Sequence, residues 1–154
     1  MPELQNGTPE VKVGVSVLVY NGDRILLEKR QNTHGAGTWG PPSGHIDFGE
    51  DPKHAAAREV LEEMGVTIDD IEFRTITNDI FEAENKHYIT VWMDSKYISG
   101  DLKVSAPDEE SQVGWFSWNA LPEPLFLPVT HLLEGKTLSP QVGGTWREVE
   151  QEPG

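Results

Sequence analysis

The chain has 154 residues, 36% of them hydrophobic and including five Trp, which fits one domain with a real core and is too short for two. A formal charge of −14 argues against nonspecific binding to nucleic acid or to an anionic membrane, both of which need a basic face, and favours cation binding. With no cysteine there is neither a disulfide framework nor a thiolate zinc site. The opening MPELQNGTPE lacks the basic and apolar regions of a signal peptide, and no run approaches the length of a membrane span, so a soluble cytoplasmic protein is expected.

Residues 1–10 are polar and read as a loose lead-in to a single domain over residues 11–135. Residues 11–19, VKVGVSVLV, are β-branched and mostly apolar, which predicts a strand buried in part on both faces. Asn21-Gly22 is a strong hairpin signal and predicts a second strand over residues 24–29. Residues 31–43, QNTHGAGTWGPPS, hold three Gly and two Pro and predict a loop that delivers the chain to Gly44.

A helix is predicted over residues 52–64. Asp51 suits the N-cap, Pro52 the first helical position, and Gly65, without a Cβ, the left-handed residue that ends the helix. At 100° per residue, Glu59, Glu62 and Glu63 share one face, and Ala57, Val60, Leu61 and Met64 the opposite, packing one. Like charges at this spacing repel by about 0.2–0.5 kcal/mol per pair on an exposed helix. A divalent cation reverses that sign, and hard cations such as Mg²⁺ take carboxylate, water and phosphate oxygens. Arg58, four residues before Glu62, is placed to orient it.

Beyond the helix, residues 71–81 and 87–97 alternate as two strands of an antiparallel ribbon joined by EAENK. An acidic loop, residues 100–112, leads to an aromatic strand over residues 113–118 and a short helix over residues 127–134 that ends at Gly135. Residues 136–154 are Gly-, Pro- and Glu-rich and read as a poorly ordered tail, or one ordered by an oligomer contact.

Glutamates on a helix are ordinarily solvated surface, but here their spacing argues otherwise. Residues 44–66 read Gly44-x5-Glu50-x7-Arg58-Glu59-Val60-x-Glu62-Glu63-x-Gly65-Val66, with an aliphatic residue wherever one is wanted. This resembles, without gap or mismatch, the Nudix box of the MutT/Nudix hydrolases. The resemblance implies an α/β fold, an α/β/α sandwich with a mixed β-sheet. It also implies hydrolysis of a nucleoside diphosphate linked to a further group, with Mg²⁺ or Mn²⁺ held by the box glutamates. On that basis Glu59, Glu62 and Glu63 are metal ligands, Ser43 or Gly44 supplies a backbone oxygen, and Glu50 and Arg58 support them. The family usually approaches the box through an aliphatic residue, Pro, Gly, Gly; Pro41 and Ser43 depart from that pattern. A loop glutamate often adds a ligand or the general base, and Glu110 is the candidate, with Glu109 next; Glu62 and Glu63 remain alternatives for the base.

Lys29 and Arg30 precede the glycine-rich loop and are candidates for the substrate phosphates. Trp39, Phe126 and Leu127 are candidates for the base pocket, core packing being the competing role. The five histidines are scattered, without metal-ligand spacing. GAGTW, TNDIFEAENKHYITVWM and WFSWNALPEPLF extend the resemblance to small MutT-like pyrophosphohydrolases of normal or oxidised nucleoside triphosphates, which attack the β-phosphorus and release a nucleoside monophosphate and pyrophosphate. The competing substrates are ADP-ribose, dinucleotide polyphosphates, NADH and nucleotide sugars. A non-catalytic nucleotide sensor is the reading from another class, and in the family such sensors are often fused to a DNA-binding module for which this length leaves no room. The expected partner is a small nucleotide, not nucleic acid or membrane. A homodimer is common in the family, and nothing in the chain decides it.

Overall fold

A computed structural model describes residues 9–138 of the chain. Residues 1–8 of the expected lead-in and 139–154 of the expected tail lie outside them.

Strand β1, Val11–Asn21, turns through Gly22 and Asp23 into the antiparallel β2, Arg24–Arg30, with Asn21 opposite Arg24. Asn21 is thus the last strand residue, and Gly22, at φ +64°, takes the left-handed turn position that a Cβ would strain. After two residue pairs the strands part company. β2 pairs with the short β3, Trp39–Gly40, while β1 pairs with β4, Ser43–His45. Ser43 and Gly44, expected in a loop, are therefore strand residues, and Gly44 is fixed opposite Val15.

Helix α1 spans Pro52–Met64 as predicted. The Asp51 side chain accepts from Lys53 N at 2.7 Å and Gly65 ends the helix at φ +74°. Its buried residues are Ala55, Ala56, Glu59, Val60, Glu63 and Met64, which corrects the expected division into a packing face and an acidic face. Leu61 is 52% exposed, and Glu59 and Glu63 go inward beside the aliphatic residues. The aliphatic pattern located one edge of the inward stripe; the other edge is acidic because the surface it meets is acidic.

β5, Thr67–Phe81, and β6, Lys86–Ser99, form the expected antiparallel ribbon, joined by a 3-10 turn at Glu82–Glu84. β5 begins four residues before its predicted start. Asp69 and Asp70 are poor strand formers, and here they are carried by register shifts, with Asp70 at φ +56°. β7, Glu110–Ser117, begins three residues early, so Glu110 leaves the acidic loop and stands opposite Arg30 on β2. Helix α2, Leu127–Leu133, closes the chain's described part, followed by Gly135 at φ +74°.

The sheet runs β3-β2-β1-β6-β5, with β4 beside β1 and β7 beside β2, and β1 lies parallel to β6 in an otherwise antiparallel arrangement. Alternation along β1 sorts its side chains between two layers. Val15, Val17 and Val19 pack with Leu26, Met93 and the α1 residues Val60 and Met64. Leu18 packs with Phe81, Tyr88, Trp92, Phe126 and Val129 under α2. The sheet is thereby enclosed between helices, as an α/β/α sandwich requires. No helix among the described residues is long and apolar enough to cross a membrane.

Candidate active site

The acids gather where α1 crosses the sheet. Glu28 on β2, Glu63 on α1 and Glu110 at the head of β7 each offer a carboxylate oxygen, all within 4.8 Å of one another, and all three residues are buried. Glu28 Oε1, Glu63 Oε1 and both Glu110 oxygens are buried with no hydrogen-bond partner among the described residues. Such a group is costly unless something compensates it. The acids respond by holding protons: burial first pushes the Glu28 carboxyl up to about 7 and that of Glu110 up to about 9, where the nearby Glu28 adds to the effect. Burial, then Glu28, raises Glu63 well above the usual carboxylate range. Three buried acids facing one another outweigh the single nearby cation, Arg30, and suit a hard divalent ion, whose charge and oxygen preference compensate that set.

Beside this cluster, Arg58 holds the other box acids. It bonds Glu50 through Nε at 2.7 Å and Nη2 at 2.9 Å, reaches Glu59 Oε1 at 3.0 Å, and donates to the His45 carbonyl at 3.0 Å. The forked guanidinium can serve several acceptors at fixed angles, which a lysine cannot. Those bonds hold the Glu50 carboxyl well below its usual range, with Arg58 the leading cause. Glu59 lies against the backbone of β4, where a Cβ at Gly44 would collide with its carboxylate, so the glycine is a steric requirement of this site. Ser43 Oγ donates to the Pro41 carbonyl at 2.9 Å and sits 2.7 Å from Ser16 Oγ.

The acids open into a cavity of about 260 Å³, lined at this end by Glu28, Glu59, Glu63, Ser43, Gly44 and Glu109. Its other end is aromatic, walled by His34, Phe81, Tyr88 and Phe126. His34 stacks on Tyr88 with centroids 4.5 Å apart and an interplanar angle of 14°, and Phe81 stacks on Phe126 at 5.5 Å. Arg30 joins the two ends. Its guanidinium lies 3.9 Å from the centroid of Phe126 and donates through Nε to the His34 carbonyl at 3.0 Å. Burial, then Arg30 itself, pushes His34 down to about 3, so the ring is neutral at physiological pH.

Of the residues expected at the site, Ser43, Gly44, Glu59, Glu63, Arg30 and Phe126 line the cavity, and Glu110 joins the buried cluster. Glu62 is not in that cluster: its side chain is 57% exposed and faces Arg58 at 3.3 Å. Lys29 does not line the cavity. Trp39 packs with Ile25, Leu27 and Phe116, and Leu127 packs against the Leu18 cluster under α2; neither lines the cavity. The sequence reading missed Glu28, His34, Tyr88 and Thr90. Glu28 carried a signal: on a strand reading RILLEKR it falls two residues from Leu26, on the inward phase of the alternation.

A mixed sheet between helices, with a cavity acidic at one end and aromatic at the other, defines an α/β protein organised around that cavity. The model of the NUDIX domain matches residues 10–133, and the chain belongs to the Nudix family. It is similar to the NAD-capped RNA hydrolase NudC of Pseudomonas aeruginosa, 32% identical over 114 residues, 74% of this chain and 39% of that protein. It is 30% identical over 135 residues to a putative 8-oxo-dGTP diphosphatase 3 of Mycobacterium tuberculosis, 84% of this chain and 55% of that protein. The chain thus spans about two fifths to about half of these relatives' lengths. Among solved structures, a MutT NUDIX hydrolase from Burkholderia pseudomallei superposes with a TM-score of 0.76 at 31% identity, covering 81% of this chain and 97% of that one.

Proposed function

We propose that the chain is a divalent-cation-dependent pyrophosphohydrolase of nucleoside triphosphates, normal or oxidised, releasing a nucleoside monophosphate and pyrophosphate. The observation that carries it is the polarity of one cavity: buried, unpartnered carboxylates at one end and aromatic rings at the other. A nucleotide has the same polarity, an anionic chain joined to a flat ring. The relatives' printed activities on 8-oxo-dGTP and, for a Danio rerio relative 33% identical over 69% of this chain, on oxidised purine nucleoside triphosphates support this choice. NudC's capped RNA is less favoured, because a chain of net charge −14 has no cationic surplus for an RNA body.

Glu28, Glu59, Glu63 and Glu110 would hold the cation, Mg²⁺ or Mn²⁺, with Ser43 and Gly44 at the backbone edge of the site. Bound there, a divalent ion neutralises the acids, polarises a phosphate and acidifies a water. Arg58 keeps Glu59, Glu62 and Glu50 in place. Arg30, held at the junction, meets the phosphate chain, while Phe126 and its neighbours take the base. Water attacks the β-phosphorus, the Pβ–O bond of the α–β bridge breaks so that the nucleoside monophosphate leaves with the bridging oxygen, and the attacking water's proton passes to a carboxylate, Glu110, Glu63 or Glu62.

The test is a screen of nucleoside triphosphates, ADP-ribose and dinucleotide polyphosphates with Mg²⁺, with pyrophosphate and phosphate measured separately. Pyrophosphate from triphosphates supports the reading. Turnover confined to ADP-ribose or dinucleotides moves the substrate class, and binding without turnover makes the chain a sensor.

A further inference from the structure

Beneath the aromatic end of the cavity, a buried hydrogen-bond chain has a fixed direction. Trp92 Nε1 donates to Thr77 Oγ1 at 2.9 Å, Thr77 Oγ1 donates to Asp79 Oδ2 at 2.8 Å, and Thr90 Oγ1 donates to that same oxygen at 2.6 Å. His131 Nδ1, on α2, lies 2.7 Å from Asp79 Oδ1. The end members set the polarity: an indole N–H can only donate and a carboxylate can only accept. Trp92, Thr77 and Asp79 are each 0% exposed, so no water competes for these bonds.

Thr90 is the member of this chain that lines the cavity. Its register partner on β1 is Gly14, which sets no side chain above it, and Tyr88 of the aromatic wall stands two residues away on the same face of β6. Its one hydroxyl hydrogen is committed inward to Asp79. What remains on Oγ1 is acceptor capacity alone.

Resting on the nucleotide reading above, we propose that Thr90 reads the substrate's base. Held as an acceptor by the positioning residue Asp79, it takes a hydrogen bond from an exocyclic amino group and selects amino-bearing purines over analogues that lack the amino group. The phosphate end of a substrate is engaged at the acids, so the group that reaches the aromatic end is the base.

The experiment measures kcat/KM for two matched pairs with saturating Mg²⁺: dGTP against dITP, and dATP against the triphosphate of purine deoxyriboside. The intact chain prefers the amino member of at least one pair by about tenfold, the worth of one well-made hydrogen bond, and the difference lies in KM. Thr90→Val brings that ratio within about twofold of one while turnover of the deamino substrate persists. Thr90→Ser, which keeps the hydroxyl, keeps the ratio. Asp79→Asn, which adds hydrogens where only lone pairs stood, lowers the ratio with Thr90 intact; if Thr90→Val does not fold, Thr90→Ala takes its place. Hydrolysis with the same ratio in wild type and Thr90→Val, or an equal fall on every substrate, overturns this inference and leaves the proposed function standing. Failure to hydrolyse any of the four overturns this inference, and overturns the proposed function as well if oxidised nucleoside triphosphates are also inert.

Discussion

Glu63 shows how burial and spacing together define a residue's role. Glu63 is 2% exposed, one of its oxygens has no partner among the described residues, and after burial it is the acids Glu28 and Glu59 that raise its carboxyl. Glu63→Gln should therefore raise the melting temperature of the metal-free chain at pH 8, where a buried repulsion is removed, while cutting Mg²⁺-dependent turnover by at least about a hundredfold. Scanning calorimetry and a turnover assay read the two effects, and a variant destabilised without loss of turnover would remove Glu63 from the site. Glu62, exposed and held by Arg58, should lose less on the same substitution. Arg58→Lys keeps the charge but loses the fork, and should lower turnover by about 10–100-fold, as loss of a ligand-orienting group does. A turnover assay showing near-normal rates would demote Arg58 to a surface ion pair. That Glu63 and Glu110 meet was expected for Glu63 from its helical spacing and for Glu110 only from the family resemblance, which looks for a loop glutamate near the site. Glu28 had only its inward phase on β2 to mark it; its meeting with Glu63 and Glu110 depends on the pairing of β2 with β7, which no local pattern records.

Helix α1 was legible in full because its ends are written in local chemistry: Asp51, Pro52 and Gly65 act within a turn of themselves. Its orientation was not. A wheel of aliphatic residues assumes an apolar partner surface, whereas α1 lies with Glu59 and Glu63 turned toward acids on β2 and β7 and toward the Gly44 backbone. The caps hold the acidic stripe in place against its own repulsion. Asp51→Ala should cost about 0.5–2 kcal/mol in a urea titration, the usual worth of an N-cap. Turnover per folded molecule should stay near normal, since Asp51 does not line the cavity; a large loss of turnover at unchanged stability would contradict a purely capping role. The ends of β5 and β7 were misjudged for a related reason. Asp69, Asp70 and Glu110 are poor strand formers recruited by their neighbours' registers, so tertiary pairing overrode propensity.

For the whole molecule, the acidic cluster should link stability to pH and, on the proposed function, to a divalent cation. Glu28 and Glu110, raised from 4.5 to about 7 and about 9, bind more protons folded than unfolded. Their stabilising protonation is complete below about 4.5, the unfolded value, and is lost as pH rises through 7 and 9. His34 acts oppositely but only below its unfolded value of 6.5, because its folded value is depressed to about 3. Between pH 6.5 and 9 the metal-free chain should therefore lose melting temperature, by at least about 3 °C, which is about 1 kcal/mol at this chain length. Mg²⁺ at pH 8 should restore it, as any ligand of the folded state does. A flat profile, or one unmoved by Mg²⁺, would mean that the cluster is compensated in some other way.

If Glu28, Glu63 and Glu110 form one cation site, a divalent ion entering it should displace the protons they hold. Calorimetric titration of the metal-free chain with Mg²⁺ at pH 7.5, repeated in buffers of different ionisation enthalpy, counts the protons released on binding. Saturable binding with net proton release is expected, both abolished when the three glutamates are replaced by glutamine; binding without proton release, or binding that survives the triple replacement, would rule out the shared site.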